Sequence, residues 1–225
     1  MHDIGRDFNI PLNRFKVIPN GIDTELFHPI PEIKKEQHRI IVTSSAETPI
    51  KGLHYLLEAV AEIFITRKIK LVVVGTLKKN GETERLLAKL GIKECVTFTG
   101  RIENNAFVQH YAKAFLAIVP SVYEGFGFPA GEAMACGLPV ISTTGGALPE
   151  VVGDAGILVP PADSKALVQA ILTLMDDPEQ AKQMGHAGVK RVRDRFTWKK
   201  AAEMTIEAYR ETIRDYRRSK PAVKV

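Results

Sequence analysis

From Arg39 onward the chain alternates short apolar runs with amphipathic stretches, and that alternation constrains the fold more than any other feature. Apolar runs too short for helices read as buried strands, and 3.6-residue periodicity between them reads as crossover helices. Strands are expected at Arg39 to Ser45, Ile69 to Gly75, Val96 to Thr99, Phe115 to Pro120, Pro139 to Thr143 and Gly156 to Val159. Helices are expected at Gly52 to Thr66, Thr83 to Leu90, Asn105 to Lys113, Pro129 to Cys136 and Leu148 to Val152. This is the pattern of an α/β domain built on a doubly wound parallel sheet of about six strands. The last third changes character: Asp163 to Met175, Glu179 to Arg195 and Trp198 to Arg217 are helical with no strand between them. Asp163, Asp177 and Thr197 suit N-caps, and Pro178 suits a first helical position.

In open sheets of this kind ligands bind outside the carboxyl ends of the strands, so the chemistry belongs to the loops there. The first strand is followed by Ala46, Glu47, Thr48 and Pro49, with no glycine fingerprint, which counts against a nicotinamide-binding domain. The densest signal follows the fourth strand: Pro120-Ser-Val-Tyr-Glu-Gly-Phe-Gly-Phe-Pro-Ala-Gly-Glu. Gly125 and Gly127 lack Cβ atoms, so the backbone there can approach a ligand closely. Pro129 opens a helix whose N-terminus offers unpaired amides and a positive dipole end to an anion.

Glu124 and Glu132 bracket this turn with seven residues between them. That pair resembles the paired-glutamate motif of the retaining family 4 (group 1) glycosyltransferases, whose GT-B architecture sets two Rossmann-like domains around a cleft. The likeness extends to Val17-Ile-Pro-Asn-Gly-Ile-Asp-Thr-Glu-Leu-Phe, to Gly145-Gly-Ala-Leu-Pro-Glu-Val-Val-Gly-Asp and to Ala155-Gly-Ile-Leu-Val-Pro-Pro. It implies the donor-binding half of such an enzyme: residues 1–31 as interdomain segment, 32–196 as nucleotide-sugar-binding domain, 197–219 as a C-terminal crossover helix, and 220–225 as a disordered tail. The acceptor-binding N-terminal domain or subunit would be the partner, and apolar positions of the last helix are expected to be exposed, favouring self-association. The rival reading is a stand-alone nucleotide-sugar-binding or regulatory module without catalysis of its own.

By the same resemblance, Glu132 accepts hydrogen bonds from two ribose hydroxyls; without it, a glutamate in a helix's first turn is explained by the dipole alone. Glu124 faces the donor sugar, where a carboxylate stabilises oxocarbenium-like charge, or else it only caps a turn. The amides of Phe126, Gly127 and Phe128 hold sugar hydroxyls or the diphosphate. Lys51 matches the family's phosphate-binding lysine; a cation at a helix start is otherwise disfavoured, and a solvent-exposed side chain is the alternative. The family's second cation, five residues earlier, is here Ala46; either Arg101 or Lys78 replaces it, or the leaving group is stabilised less strongly.

Gly75 and Gly100-Arg101 stand at strand ends; Arg101 is either a base or phosphate contact or a rim arginine. Asn20-Gly21 places an amide near the diphosphate or simply makes a turn, and Thr144 belongs to a further polar loop with Thr143, Gly145 and Gly146. No Asp-x-Asp motif is present to hold magnesium or manganese, so metal-independent transfer without a cofactor is expected. The resemblance implies a UDP-, GDP- or ADP-linked hexose as the donor.

Charge decides little. Lys and Arg number 31 against 26 Asp and Glu, a net +5 concentrated late in the chain. That surplus fits a phosphate-bearing substrate, weak association with an acidic membrane surface, or a solvated basic helix, and no nucleic-acid module accompanies it. Cys95 and Cys136 match no disulfide or zinc spacing, and no leader or membrane-spanning run is visible, so the expected location is cytoplasmic.

Overall fold

The computed structural model describes residues 6–44 and 48–219. Six strands form one all-parallel sheet in the order β3-β2-β1-β4-β5-β6: β1 is Arg39–Thr43, β2 Lys70–Val74, β3 Val96–Phe98, β4 Leu116–Val119, β5 Val140–Thr143 and β6 Ile157–Val159. β1 lies at the centre, Ile41 pairing with Val72 on one side and Ala117 on the other. The doubly wound sheet expected from the alternation is thus the fold observed.

Strand periodicity divides the core into two layers. Ile40, Val42, Leu71, Val73, Leu116 and Ile118 face helices α1 (Leu53–Phe64), α2 (Glu82–Leu90) and, further along, α6 (Ser164–Asp176). Ile41, Ala117, Val119 and Val140 face α3 (Asn104–Lys113), α4 (Phe128–Ala135), α5 (Leu148–Val152) and α7 (Pro178–Arg195). Because both faces are covered, β4 and β5 are buried at every position.

The expected caps form. Asp163 accepts from the Ala166 amide and Asp177 from the Gln180 amide, both at 2.9 Å, while the Lys200 amide donates to the Thr197 hydroxyl at 3.2 Å. Arg191 on α7 binds the end of α5, donating to the Val151 carbonyl at 2.7 Å and the Glu150 carbonyl at 2.8 Å, with Asp154 at 3.2 Å. Orphan carbonyls of a short helix are satisfied in this way, fixing the loop into β6.

The segment before β1 joins the core through Ile22 and Phe27. Ile22 bridges Thr197, and its amide donates to the Phe196 carbonyl at 2.6 Å. Gly21 is pressed so closely on this crossing that a Cβ would sit 2.3 Å from the Trp198 nitrogen. Beyond the crossing runs α8 (Trp198–Ser219), tied back by an ion pair between Glu211 and Lys16. Its apolar residues Trp198, Ile206, Tyr209, Ile213 and Tyr216 are exposed, as expected from the sequence. Both cysteines are buried. Among the described residues no helix is long and apolar enough to cross a membrane. The expected tail at 220–225, Ser45 of the first strand and Ala46 lie outside the described residues.

Candidate functional site

The order reverses between β1 and β4, and the loops leaving the carboxyl ends of these strands diverge to opposite faces. A crevice opens at such a switch point. Here it is a cleft of about 430 Å³ whose lining includes Lys51, Gly75, Gly100, Arg101, Phe107 and Pro129. Three residues expected to serve the phosphates and base, Lys51, Gly75 and Arg101, therefore share one cavity with the start of α4.

Lys51 ends a short 3-10 turn, Pro49–Lys51, and Gly52 then switches to the left-handed region at φ 65° before α1 begins. This places Lys51 just outside the helix start. The anion beside it in the structure is Glu124: Lys51 Nζ donates to Glu124 Oε1 at 2.7 Å. Ser121 Oγ donates to the same oxygen at 2.8 Å. Ser121 is itself fixed, its carbonyl accepting from the Thr143 hydroxyl, which in turn accepts from the Gly145 amide at 3.2 Å. The Ala147 amide closes the loop on the Glu124 carbonyl at 2.9 Å. Both side-chain donors converge on Oε1, so Oε2 has no hydrogen-bond donor among the described residues.

The two glycines of the turn differ. Gly125 has nothing within 4 Å of the position a Cβ would take, which leaves its backbone open to approach. Gly127 is buried at φ 99°, and a Cβ there would lie 2.7 Å from a Leu148 methyl. Internal packing and backbone conformation, rather than ligand approach, require glycine at 127. The amides of Phe126, Gly127 and Phe128 have no acceptor among the described residues, in keeping with the start of a helix. Phe126 is wedged between Phe128 and Phe196, with ring centroids at 5.0 and 6.0 Å, which ties the turn to the crossing at Thr197.

Glu132 lies in the second turn of α4 and is partly buried. Burial pushes its carboxyl up to about 7, against the nearby Tyr111 hydroxyl, which pulls the other way. Tyr111, on α3, is 1% exposed, and its hydroxyl lies 3.4 Å from both the Pro129 carbonyl and the Thr43 hydroxyl. Burial, with the Glu132 charge added, raises the phenol well above its usual range. Asn20 stands exposed beside the Gly21 crossing, and Thr144 stands exposed at the end of β5, its amide donating to the Val159 carbonyl at 2.9 Å. No hydrogen bond joins either to the glutamates among the described residues. Sequence reasoning missed Ser121 and Tyr111. Ser121 carried a signal, the Ser-x-x-Glu spacing of a reciprocal cap, whereas Tyr111 reads only as a core position of α3.

A carboxyl raised from about 4.5 to about 7 by folding takes up protons between those values, so the native state loses stability as pH rises through that window. Glu132→Gln is expected to abolish that loss, on the order of 1–3 kcal/mol, and thermal unfolding of both forms from pH 4.5 to 8 measures it.

Comparison with known proteins fixes the family. The profile of the Glycosyl transferases group 1 family matches residues 24–191. The chain belongs to the group 1 glycosyltransferases. Among the curated relatives of this group 1 domain is the MMP alpha-(1->4)-mannosyltransferase of Mycolicibacterium hassiacum, 39% identical over 94% of this chain and 52% of the relative. Sucrose-phosphate synthase from Thermosynechococcus elongatus superposes with a TM-score of 0.81 at 29% identity, covering 95% of this chain and 56% of that one. Anabaena Alr3699/HepE, solved in complex with UDP and glucose, superposes with a TM-score of 0.75 at 25% identity, over 86% of this chain and 56% of its own. The chain therefore spans about half the length of the relatives it matches, and the neighbours share its Rossmann-like, GT-B-type sheet.

Proposed function

We propose that this chain binds the nucleoside diphosphate sugar of a retaining hexosyltransferase, its active site completed by an acceptor-binding domain or subunit. The observation that carries this reading is Lys51, which lines the switch-point cleft together with the start of α4 and is paired to Glu124 at 2.7 Å. In this reading the diphosphate takes the Lys51 ammonium and the free amides at Phe126, Gly127 and Phe128, and Arg101 lies along the base or phosphates. The ribose hydroxyls donate to the two oxygens of Glu132. Glu124 turns Oε2 toward the sugar and stabilises positive charge as the glycosidic bond breaks. This reading keeps Asn20 and Thr144, both exposed, as outer contacts of the donor. The solved complex of a structural neighbour with UDP and glucose supports a nucleotide and sugar as ligands. The exposed stripe of α8 from Trp198 to Tyr216 is the surface we assign to the acceptor domain.

Calorimetric titration with UDP, GDP and ADP, without added metal, tests the reading. One nucleotide is expected to bind saturably, and Glu132→Ala to weaken it by about tenfold or more, the cost of losing a charged hydrogen-bond acceptor. Because an ionised carboxylate accepts both hydroxyls, affinity is expected to rise between pH 6 and pH 8 in the parent protein and not in the variant. Equal affinity in both forms at all pH values would remove Glu132 from the site.

A further inference from the structure

The amino ends of β4 and β5, opposite the donor cleft, carry a second cavity of about 510 Å³. It lies between the segment Pro29 to Lys35, which approaches β1, and the first turns of α7, with Phe115 and Pro139 entering the two strands. Its volume falls within the range of small-molecule sites. Ile33, Phe115, Pro139 and Val189 give it apolar walls, while Lys34, Lys35, Lys182 and His186 supply basic groups. Not one lining residue is acidic, although the chain has 26 Asp and Glu. No carboxylate lies within ion-pair distance of Lys34, Lys35 or Lys182 among the described residues.

Lys35 is the informative cation. Its ammonium donates to the Gly137 carbonyl at 3.2 Å, against the end of α4. Desolvation lowers its pKa, and the one acidic group that acts on it is the buried Cys136 thiol. Burial pushes that thiol up to about 12, so it is neutral at physiological pH and offers Lys35 no counter-charge. Lys35 is exposed to the cavity's solvent, and an ammonium set beside apolar walls, with other cations around it and no carboxylate paired to it, favours an anion.

We infer that this cavity binds an anionic amphiphile, a phosphate or carboxylate carried on an apolar body, with the head at Lys35 and Lys182 and the body against Ile33 and Phe115. The site is separate from the donor cleft and does not depend on the reading given above. Neither half suffices: a free anion leaves the apolar walls wet, and a neutral hydrocarbon leaves the ammonium without a counter-charge.

Calorimetric titration of the whole chain with octyl phosphate, kept below its micellar concentration, tests this against inorganic phosphate, octanoate and octan-1-ol. Saturable single-site binding is expected for octyl phosphate, with octanoate comparable and the other two weaker by about tenfold or more. The double variant Lys35→Met and Lys182→Met is expected to lose about tenfold in affinity, and arginine at both positions to restore it. Thermal unfolding of the methionine variant checks that these exposed substitutions leave the fold intact. Absence of saturable octyl phosphate binding, equal binding of octan-1-ol, or an unchanged affinity in the methionine variant would each overturn the inference.

Discussion

Gly52→Ala is expected to destabilise the chain by about 3–5 kcal/mol and to uncouple Lys51 from Glu124. Two effects add. The residue sits at φ 65°, where an L-side chain costs about 1–2 kcal/mol. A Cβ there would also lie 2.0 Å from the Pro120 carbonyl oxygen and 2.9 Å from its carbon, and a backbone at the end of a buried strand cannot turn aside as a flexible side chain can. Relief requires α1 or the β4 loop to move, and the two ends of the Lys51–Glu124 ion pair stand on those two pieces. Gly91→Ala separates the contributions. Gly91 has φ 68° with nothing within 4 Å of a Cβ, so only the conformational cost of about 1–2 kcal/mol is expected. Urea unfolding of both variants measures the difference, and equal losses would mean that the approach of Gly52 to Pro120 is not tight in solution.

That close approach also marks the limit of what the sequence disclosed. The sheet, its six strands and eight described helices were legible because each rests on a local pattern: apolar runs of strand length, 3.6-residue periodicity, and Asp163, Asp177 and Thr197 placed where a cap is needed. Observed boundaries differ from expectation by one or two residues, as frayed ends do, and Gly52 falls outside its helix because a left-handed residue cannot begin one. Contacts made by distant segments were not legible. Nothing near Gly127 in the chain announces the Leu148 methyl that requires glycine there. Nor does anything near Lys51 announce that its nearest anion is Glu124, 73 residues away. The glutamate pair itself was recognisable only by resemblance, since a carboxylate at a turn is ordinarily explained by capping and one near a helix start by the dipole.

The shared oxygen of Glu124 leads to the second large effect. In a complete enzyme carrying both halves, Glu124→Gln is expected to lower turnover by about 10²–10³-fold while leaving nucleotide affinity within about twofold. The amide keeps the shape and still accepts from Ser121 and Lys51 through its oxygen, but it removes the negative charge proposed to face the sugar as positive charge develops. Structural cost is small, because the Lys51 side chain is 35% exposed and water can solvate it once the ion pair is weakened. Lys51→Met gives the complementary result. It leaves Glu124 charged and still held by Ser121 at 2.8 Å, but removes a cation from the diphosphate, so nucleotide affinity and turnover are both expected to fall. Steady-state turnover and nucleotide titration on the two variants therefore distinguish the roles. Near-parental turnover in Glu124→Gln would show that its carboxylate serves the Lys51–Ser121 network as a structural tie and that the developing charge is met elsewhere in the cleft.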